Sequence, residues 1–217
     1  MIGILTFALL AAPAPKAVTL DAGVRRAALD VVSCAQASGI GKDARSVTII
    51  DYGRTSLEPR LWVVDLKTGA ALVQEYVAHG RNSGENRTTS FSNAMNSHQS
   101  SLGLFVTAET YMGSNGYSLR MDGLVPGIND AARARAIVMH GAPYVNPDAG
   151  ARQGRLGRSW GCPALRSAVA QGVIDLIKGG NFVFAWHPDK DWVGTSPYGK
   201  CVVAMQDRPA GASRTAR

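Results

Sequence analysis

The chain has 217 residues, of which 46% are apolar and 18% are charged, and its formal net charge is +7. This length and composition suit one globular core and exclude a largely disordered chain. The positive charge is scattered, with no dense basic run that contains aromatic residues. We therefore expect the partner of this surface to be an anionic polymer other than a nucleic acid.

The first residues, MIGILTFALLAAPA, form an apolar run closed by small residues. Such a run is typical of a secretory signal, although no Lys or Arg precedes it, and we assign residues 1–15 to a signal segment. A buried N-terminal strand is the alternative. No other segment approaches the ~20 apolar residues of a membrane span, so we expect no stable membrane insertion. Residues 16–206 are predicted to form one domain, and 207–217 a flexible basic tail.

A helix is predicted over residues 21–38, with Cys34 on its apolar face. Export would allow Cys34 to form a disulfide with Cys201, joining this helix to a predicted last strand around Cys201. Two unpaired core cysteines are the alternative.

Short strands dominate the middle of the chain. They are predicted at residues 46–52, 61–65, 71–77, 104–108, 118–121, 136–139 and 181–186, with a hairpin loop at 65–69. Closely spaced short strands with two helices indicate a β-rich fold, either a sandwich or a partly closed barrel with helices on its flank. The Ser- and Asn-rich stretch 81–101 is predicted to be a long functional loop.

Cys162 lies in GRSWGCP, directly before the periodic segment ALRSAVAQGVIDLI at 164–177. The spacing predicts a helix that begins with Pro163 and has Cys162 at its N-cap. There, free backbone N–H groups and the helix dipole would favour the thiolate, which is the nucleophilic form. The N–H groups of Gly161 and Cys162 would face an oxyanion. A buried, inert cysteine is the alternative.

His140 is the histidine with the strongest context. Residues 136–139 are predicted to form a buried strand, and His140-Gly141 to end it where a loop begins. A thiol with imidazole as its base is a recurrent arrangement for acyl transfer, whereas a hydrogen-bonded core histidine is the alternative. Zinc held by His98, His140 and Cys162 is a competing interpretation, but no paired metal-ligand motif is present. We predict neither metal nor other cofactor, and interpret His98 as a solvent-facing loop residue.

Four blocks carry a resemblance to a known family: SLGLFVTAETY (101–111), GYSLRMDGL (116–124), IVMHGAPYV (137–145) and GRLGRSWGCPAL (154–165). They resemble the murein L,D-transpeptidase catalytic domain family, the YkuD-like cysteine enzymes that act on peptidoglycan stem peptides. The resemblance spans roughly residues 49–186. Trp160 stands where the better-known branch has a second histidine, and the Ser-Trp-Gly-Cys-Pro form resembles a separate branch.

The resemblance implies a cysteine acyltransferase with Cys162 as nucleophile and His140 as base. The resemblance also gives the supporting positions Gly161, Ser159 and Gly141. Residue type, rather than the resemblance, suggests the candidate substrate contacts Arg158, Trp160, Tyr144 and Tyr111. Arg158 suits the carboxylate of a stem peptide, with a surface cation as the alternative; for the aromatic residues the alternative is packing. The apolar N-terminal run predicts an exported protein, periplasmic or wall-associated, and the resemblance implies an enzyme that carbapenems inhibit covalently. A cysteine hydrolase without transfer and a non-catalytic wall-binding module remain alternatives.

Overall fold

The computed structural model describes residues 17–188 and 190–206. The predicted signal segment at 1–15 and the predicted tail at 207–217 lie outside the described residues. The elements, in chain order, are α1 Ala22–Ala37, β1 Ser46–Asp51, β2 Leu61–Asp65, β3 Ala71–Glu75, β4 Gly103–Gly113, β5 Gly116–Gly123, β6 Val138–Ala142, α2 Pro147–Gln153, β7 Ala164–Arg166, α3 Ser167–Ile177, β8 Phe182–Trp186 and α4 Gly199–Gln206. Among these residues, no helix has the length and apolar character that a membrane crossing needs.

The strands form one eight-stranded sheet in the order β3-β2-β1-β8-β4-β5-β6-β7. The pairs β1–β8 and β6–β7 are parallel, and the other neighbours are antiparallel. Just beyond β3, Ala78 forms an antiparallel bridge with Ala164 of β7. An ion pair between Glu75 and Arg166 joins the same two edges, with Nη2 and Oε2 2.6 Å apart. The sheet is therefore a nearly closed barrel, and the predicted β-rich fold is confirmed.

The core lies where the two central strands meet the flanking helices. β1 is buried along its whole length, and β8 along all but its last residue, as expected for near-continuous apolar runs. Helix α1 begins after Asp21, whose side chain accepts hydrogen bonds from the N–H groups of Gly23 and Val24. A disulfide between Cys34 and Cys201 joins α1 to α4, with their Cα atoms 5.9 Å apart. The structure thus forms the cysteine pair that the sequence left open, but the expected last strand around Cys201 is wrong, because this segment is the helix α4.

Three predicted boundaries near the reactive residues are wrong. Residues 164–166 form β7 because they pair with β6, so α3 begins only at Ser167. The N-cap of that helix is Arg166, and Cys162 therefore lies before a strand rather than at a helix N-terminus. His140 and Gly141 lie inside β6, not at its end. Tyr111 belongs to β4, which is longer than predicted because it forms a hairpin with β5.

Candidate active site

The predicted reactive residues line a hollow of about 380 Å³, which we call the reactive hollow. Its lining consists of Ser114, Asn115, His140, Tyr144, Arg158, Ser159, Trp160 and Cys162. Most of these residues were expected from the sequence, but Ser114 and Asn115 were not. They form the turn between β4 and β5, so the tip of this hairpin borders the hollow. A Gly-Ser-Asn-Gly run predicts a turn but does not tell where that turn lies in the fold.

The sulfur of Cys162 packs against the start of β6. The N–H of Val138 donates to Sγ at 3.5 Å, and the thiol donates to the carbonyl of Ala136 at 3.7 Å. Cys162 is 8% exposed. Burial raises the pKa of this thiol, and the opposing effects of the Val138 N–H and the Arg135 charge do not cancel it. The expectation that a helix N-terminus lowers this pKa is therefore wrong, and Cys162 is a neutral thiol at neutral pH.

His140 has one ring nitrogen fixed by the main chain. Its Nδ1 lies 3.0 Å from the carbonyl oxygen of Gly141. Because a carbonyl only accepts, Nδ1 carries the proton and Nε2 keeps a lone pair. Burial lowers the pKa of His140, so the imidazole is neutral at neutral pH. The site thus combines a protonated thiol with a neutral base in a fixed tautomer.

The Ser159 side chain organises the turn that leads to Cys162. Its Oγ accepts a hydrogen bond from the N–H of Gly161 at 3.1 Å and donates to the carbonyl of Cys162 at 2.6 Å. The Gly161 N–H is therefore occupied, which corrects the expectation that it faces an oxyanion. Among the described residues, no other residue accepts a hydrogen bond from the N–H of Cys162. This N–H is the available donor for an oxyanion.

Comparison with known proteins places this chain in a family. The L,D-transpeptidase catalytic domain family matches residues 16–186. The chain belongs to this family. The family resemblance drawn from the sequence is thereby confirmed, whereas the separate Ser-Trp-Gly-Cys-Pro branch stays a prediction. Among curated protein sequences, none matches this L,D-transpeptidase domain.

Several solved structures are similar to the domain at low identity. An L,D-transpeptidase from Mycobacterium smegmatis is 15% identical with a TM-score of 0.40, and the match covers 66% of this chain and 59% of that one. An L,D-transpeptidase from Stackebrandtia nassauensis is 15% identical with a TM-score of 0.39, covering 74% and 67%. An L,D-transpeptidase from Mycobacterium tuberculosis H37Rv is 18% identical with a TM-score of 0.37, covering 65% and 57%. This chain thus spans less than two thirds of the length of the two mycobacterial chains.

Two predicted substrate contacts of the L,D-transpeptidase site have other partners. The Nη1 of Arg158 donates to the carbonyls of Arg81 and Gly84 and to Glu85 Oε1, at 2.7 to 3.1 Å. Its charge is thus paired within the protein, and it fastens the turn to the loop 81–101. Tyr111 does not line the reactive hollow, and the guanidinium of Arg120 lies 4.4 Å from its ring centroid. The structure does not bring Tyr111 together with the other predicted residues.

Trp160, the residue next to the reactive turn, is 68% exposed. Its ring stacks on that of His98, with centroids 4.9 Å apart and planes inclined by 20°. The interpretation of His98 as a simple solvent-facing residue therefore needs correction, since its ring packs on the rim of the site. Tyr144 lines the reactive hollow as expected. No group of three metal-ligating side chains suited to an ion occurs among the described residues.

Arg135 is the neighbour of the thiol that sequence reasoning missed. It ends the turn before β6, and its charge lowers the pKa of Cys162 against the larger effect of burial. Four hydrogen bonds from its guanidinium hold residues 92–101. The sequence signals none of this, because Arg135 stands in an ordinary ARARA run.

Proposed function

We propose that this domain transfers acyl groups between peptidoglycan stem peptides, with Cys162 as nucleophile and His140 as base. Family membership supports the reaction class. The observation that carries the residue assignment is that the Cys162 thiol and a His140 ring of fixed tautomer line one hollow. Such a pair is what nucleophilic catalysis by cysteine needs.

In the first half-reaction, the thiol proton of Cys162 moves to Nε2 of His140 as the sulfur attacks a carbonyl carbon of the donor stem. The family implies that this carbonyl belongs to an L-residue joined to a terminal D-alanine. The N–H of Cys162 donates to the oxyanion, and loss of such a donor costs about 3 kcal/mol of transition-state stabilisation. Collapse breaks the C–N bond, and His140 returns the proton to the leaving amine.

In the second half-reaction, an acceptor amine attacks the thioester while His140 takes a proton from it. The C–S bond breaks, His140 returns the proton to the sulfur to restore the thiol, and a new amide bond is formed. Water as the acceptor would give hydrolysis by the same groups, so the acceptor decides between a transpeptidase and a carboxypeptidase. The attack therefore requires transfer of the thiol proton to His140, because burial raises the pKa of Cys162 and lowers that of His140.

We also propose that the protein works outside the cytoplasm, in the periplasm or at the cell wall. The disulfide between Cys34 and Cys201 supports this location, because disulfides persist in oxidising compartments. The apolar run at the start of the chain agrees with export. Attraction to the anionic wall would account for the net charge of +7.

Mass spectrometry of the protein incubated with a tetrapeptide stem, or with a carbapenem as a covalent probe, tests the proposal. We expect an adduct on Cys162 that is absent in Cys162→Ser and forms about 10²- to 10⁴-fold more slowly in His140→Ala. Adding an amine acceptor separates transfer from hydrolysis through the mass of the product. An intact protein that forms no adduct, or that forms one in Cys162→Ser, would contradict the assignment and favour a wall-binding module.

A further inference from the structure

Trp160 also lines a second, smaller hollow of about 130 Å³. Its other lining residues are Met95, Asn96, His98 and Arg135, and we call it the Arg135 hollow. The loop 81–101 contributes three of these residues, and Arg135 comes from the turn before β6. Since Trp160 lines both hollows, the Arg135 hollow adjoins the one that contains Cys162.

The Arg135 hollow carries a positive charge that no acidic side chain of the described residues pairs with. The guanidinium donates to the carbonyls of Ser92 and Gln99 and to the hydroxyls of Ser97 and Ser101, at 2.5 to 3.0 Å. All four acceptors are neutral oxygens, and no carboxylate of the described residues pairs with Arg135. Burial lowers the pKa of this guanidinium. A partly buried cation with only neutral partners favours the entry of an anion.

The remaining polar groups of the Arg135 hollow include further N–H donors. They are the amide of Asn96, the imidazole of His98, the indole N–H of Trp160 and the Nε–H of Arg135. Within the described part of the chain, none of these four groups makes a hydrogen bond. Asn96 and His98 adopt φ values of 56° and 53°, in the left-handed region that few non-glycine residues occupy.

We propose that the Arg135 hollow binds a carboxylate of the substrate whose carbonyl reacts at Cys162. This inference rests on the proposed function, because stem peptides carry carboxylates at the C-terminus and on residues beside the reacting bond. Arg158, the residue expected for this contact from the sequence, is already paired with Glu85. Arg135 has no such acidic partner among the described residues, and the open donors around it suit both oxygens of a carboxylate.

The test compares three tetrapeptide stems: one with all carboxylates free, one with a C-terminal amide, and one with its internal carboxylates amidated. The rate constant for acylation of Cys162 is measured by mass spectrometry in the wild type and in Arg135→Gln. We expect one of the amides to slow the wild type at least about tenfold, as for loss of a charged hydrogen bond. The amide that does so identifies which carboxylate is bound.

Arg135→Gln should remove this discrimination between free and amidated stems. The measured quantity is the ratio of the acylation rate with the free stem to that with the amidated stem. This ratio isolates the contact, because a changed thiol reactivity would alter both rates equally. Arg133→Gln is the matched control. Arg133 lies two residues away, but its guanidinium pairs with Glu109 and Asp122, so the ratio in this variant should equal that of the wild type.

If Arg135→Gln does not fold, His98→Ala removes one donor and should reduce the ratio several-fold. Equal rates for all three stems, or an unchanged ratio in Arg135→Gln and His98→Ala, would overturn the inference.

A binding measurement separates this inference from the proposed reaction. In Cys162→Ala, titration with acetate and with D-alanine should shift the indole N–H resonance of Trp160, which Trp160→Phe assigns. D-alaninamide should give no such shift, and Arg135→Gln should abolish the shift with both carboxylates. If Cys162→Ala binds carboxylates but the wild type forms no acyl-enzyme, the proposed function is contradicted and the carboxylate site is retained. If the wild type forms an acyl-enzyme but carboxylates cause no shift and amidation has no effect, the proposed function stands and the carboxylate site is refuted.

Discussion

Gly161 lies directly against the main chain of Gln99. A Cβ atom at position 161 would stand 2.7 Å from the carbonyl oxygen of Gln99, and the φ of Gly161 is 121°. The hydroxyl of Ser100 donates to the Gly161 carbonyl at 3.1 Å. The loop 81–101 is thus fixed to the residue that precedes Cys162, and the position of the thiol depends on that loop.

Gly161→Ala should therefore destabilise the protein and slow acylation of Cys162. A side chain at this φ is strained and must displace the Gln99 backbone, which we expect to cost about 1–3 kcal/mol of unfolding free energy. Urea denaturation measures this loss. Gly172→Ala is the matched control, because Gly172 lies in α3 and a Cβ atom there would meet no atom within 4 Å, and alanine should raise helix stability by up to about 1 kcal/mol. Equal stability of Gly161→Ala and the wild type would refute the packing argument.

The rate of acylation should fall in acid with a midpoint below pH 6.5. His140 must be neutral to accept the thiol proton, and burial lowers its pKa from that ordinary value. Protonation of the ring therefore begins to remove the base only below pH 6.5. Carbapenem acylation followed from pH 4 to pH 9 tests this expectation. His140→Gln should lack the acid limb, and a wild-type midpoint above pH 6.5 would show that the ring is stabilised as imidazolium instead.

Arg166→Met should be strongly destabilising. Glu75 is 2% exposed, and both of its oxygens accept from Arg166, at 2.6 and 2.7 Å, where the edges of β3 and β7 meet. Removing the arginine leaves this carboxylate buried without that partner, at a cost of about 3–5 kcal/mol. Urea denaturation is the measurement, and the double variant Glu75→Leu with Arg166→Met should recover much of the loss.

A solvent-exposed ion pair provides the control for Arg166. Arg155 pairs with Glu85, whose side chain is largely exposed, so Arg155→Met should change the unfolding free energy by no more than about 1 kcal/mol. Similar losses in Arg155→Met and Arg166→Met would mean that burial of the Glu75 pair is not what makes it important.

His79 should make the fold sensitive to acid. Its Nδ1 accepts from Arg60 at 2.7 Å and its Nε2 donates to the carbonyl of Gly84 at 3.2 Å. Burial, followed by the charge of Arg60, lowers the pKa of His79 to about 3. Between about pH 6.5 and pH 3 the unfolded chain binds a proton that the folded protein does not, so stability falls as the pH falls, by up to about 1.4 kcal/mol per pH unit.

His79→Gln retains an acceptor for Arg60 and a donor for Gly84 but does not titrate. Between pH 7 and pH 4.5 its unfolding free energy should fall by about 2 kcal/mol less than that of the wild type. Urea denaturation at the two pH values gives the difference. If the unfolding free energy of the wild type and of His79→Gln falls by the same amount, groups other than His79 cause the acid sensitivity.

Local sequence patterns predicted the strands and the first helix because their apolar residues alternate or repeat with the period of the element. The start of α3 was missed for a physical reason. Residues 164–166 fit the helical period, but their backbone groups pair with β6, and tertiary pairing overrides local propensity. The error moved Cys162 to a helix terminus and gave the wrong direction for its pKa.

Most residues that line the reactive hollow were predictable from the sequence, but the contacts of the arginines around it were not. Cys162 and His140 stand in recognisable motifs, whereas Arg135 acts through contacts to a loop more than 30 residues earlier in the chain. Arg158 was expected to meet a substrate because an arginine suits a carboxylate, yet Glu85 provides that carboxylate within the protein. Which arginine has an acidic neighbour depends on the folded loop 81–101, which the sequence pattern does not describe.

The bond between Cys34 and Cys201 spans a sequence separation of 167 residues and encloses every strand of the sheet, together with Cys162 and His140. Tension applied to the chain before residue 34 and after residue 201 passes through the two sulfur atoms instead of the strands. Pulling the chain in that way would extend only the segments outside the ring. The sheet and the reactive hollow are therefore mechanically shielded as long as the cysteines stay oxidised.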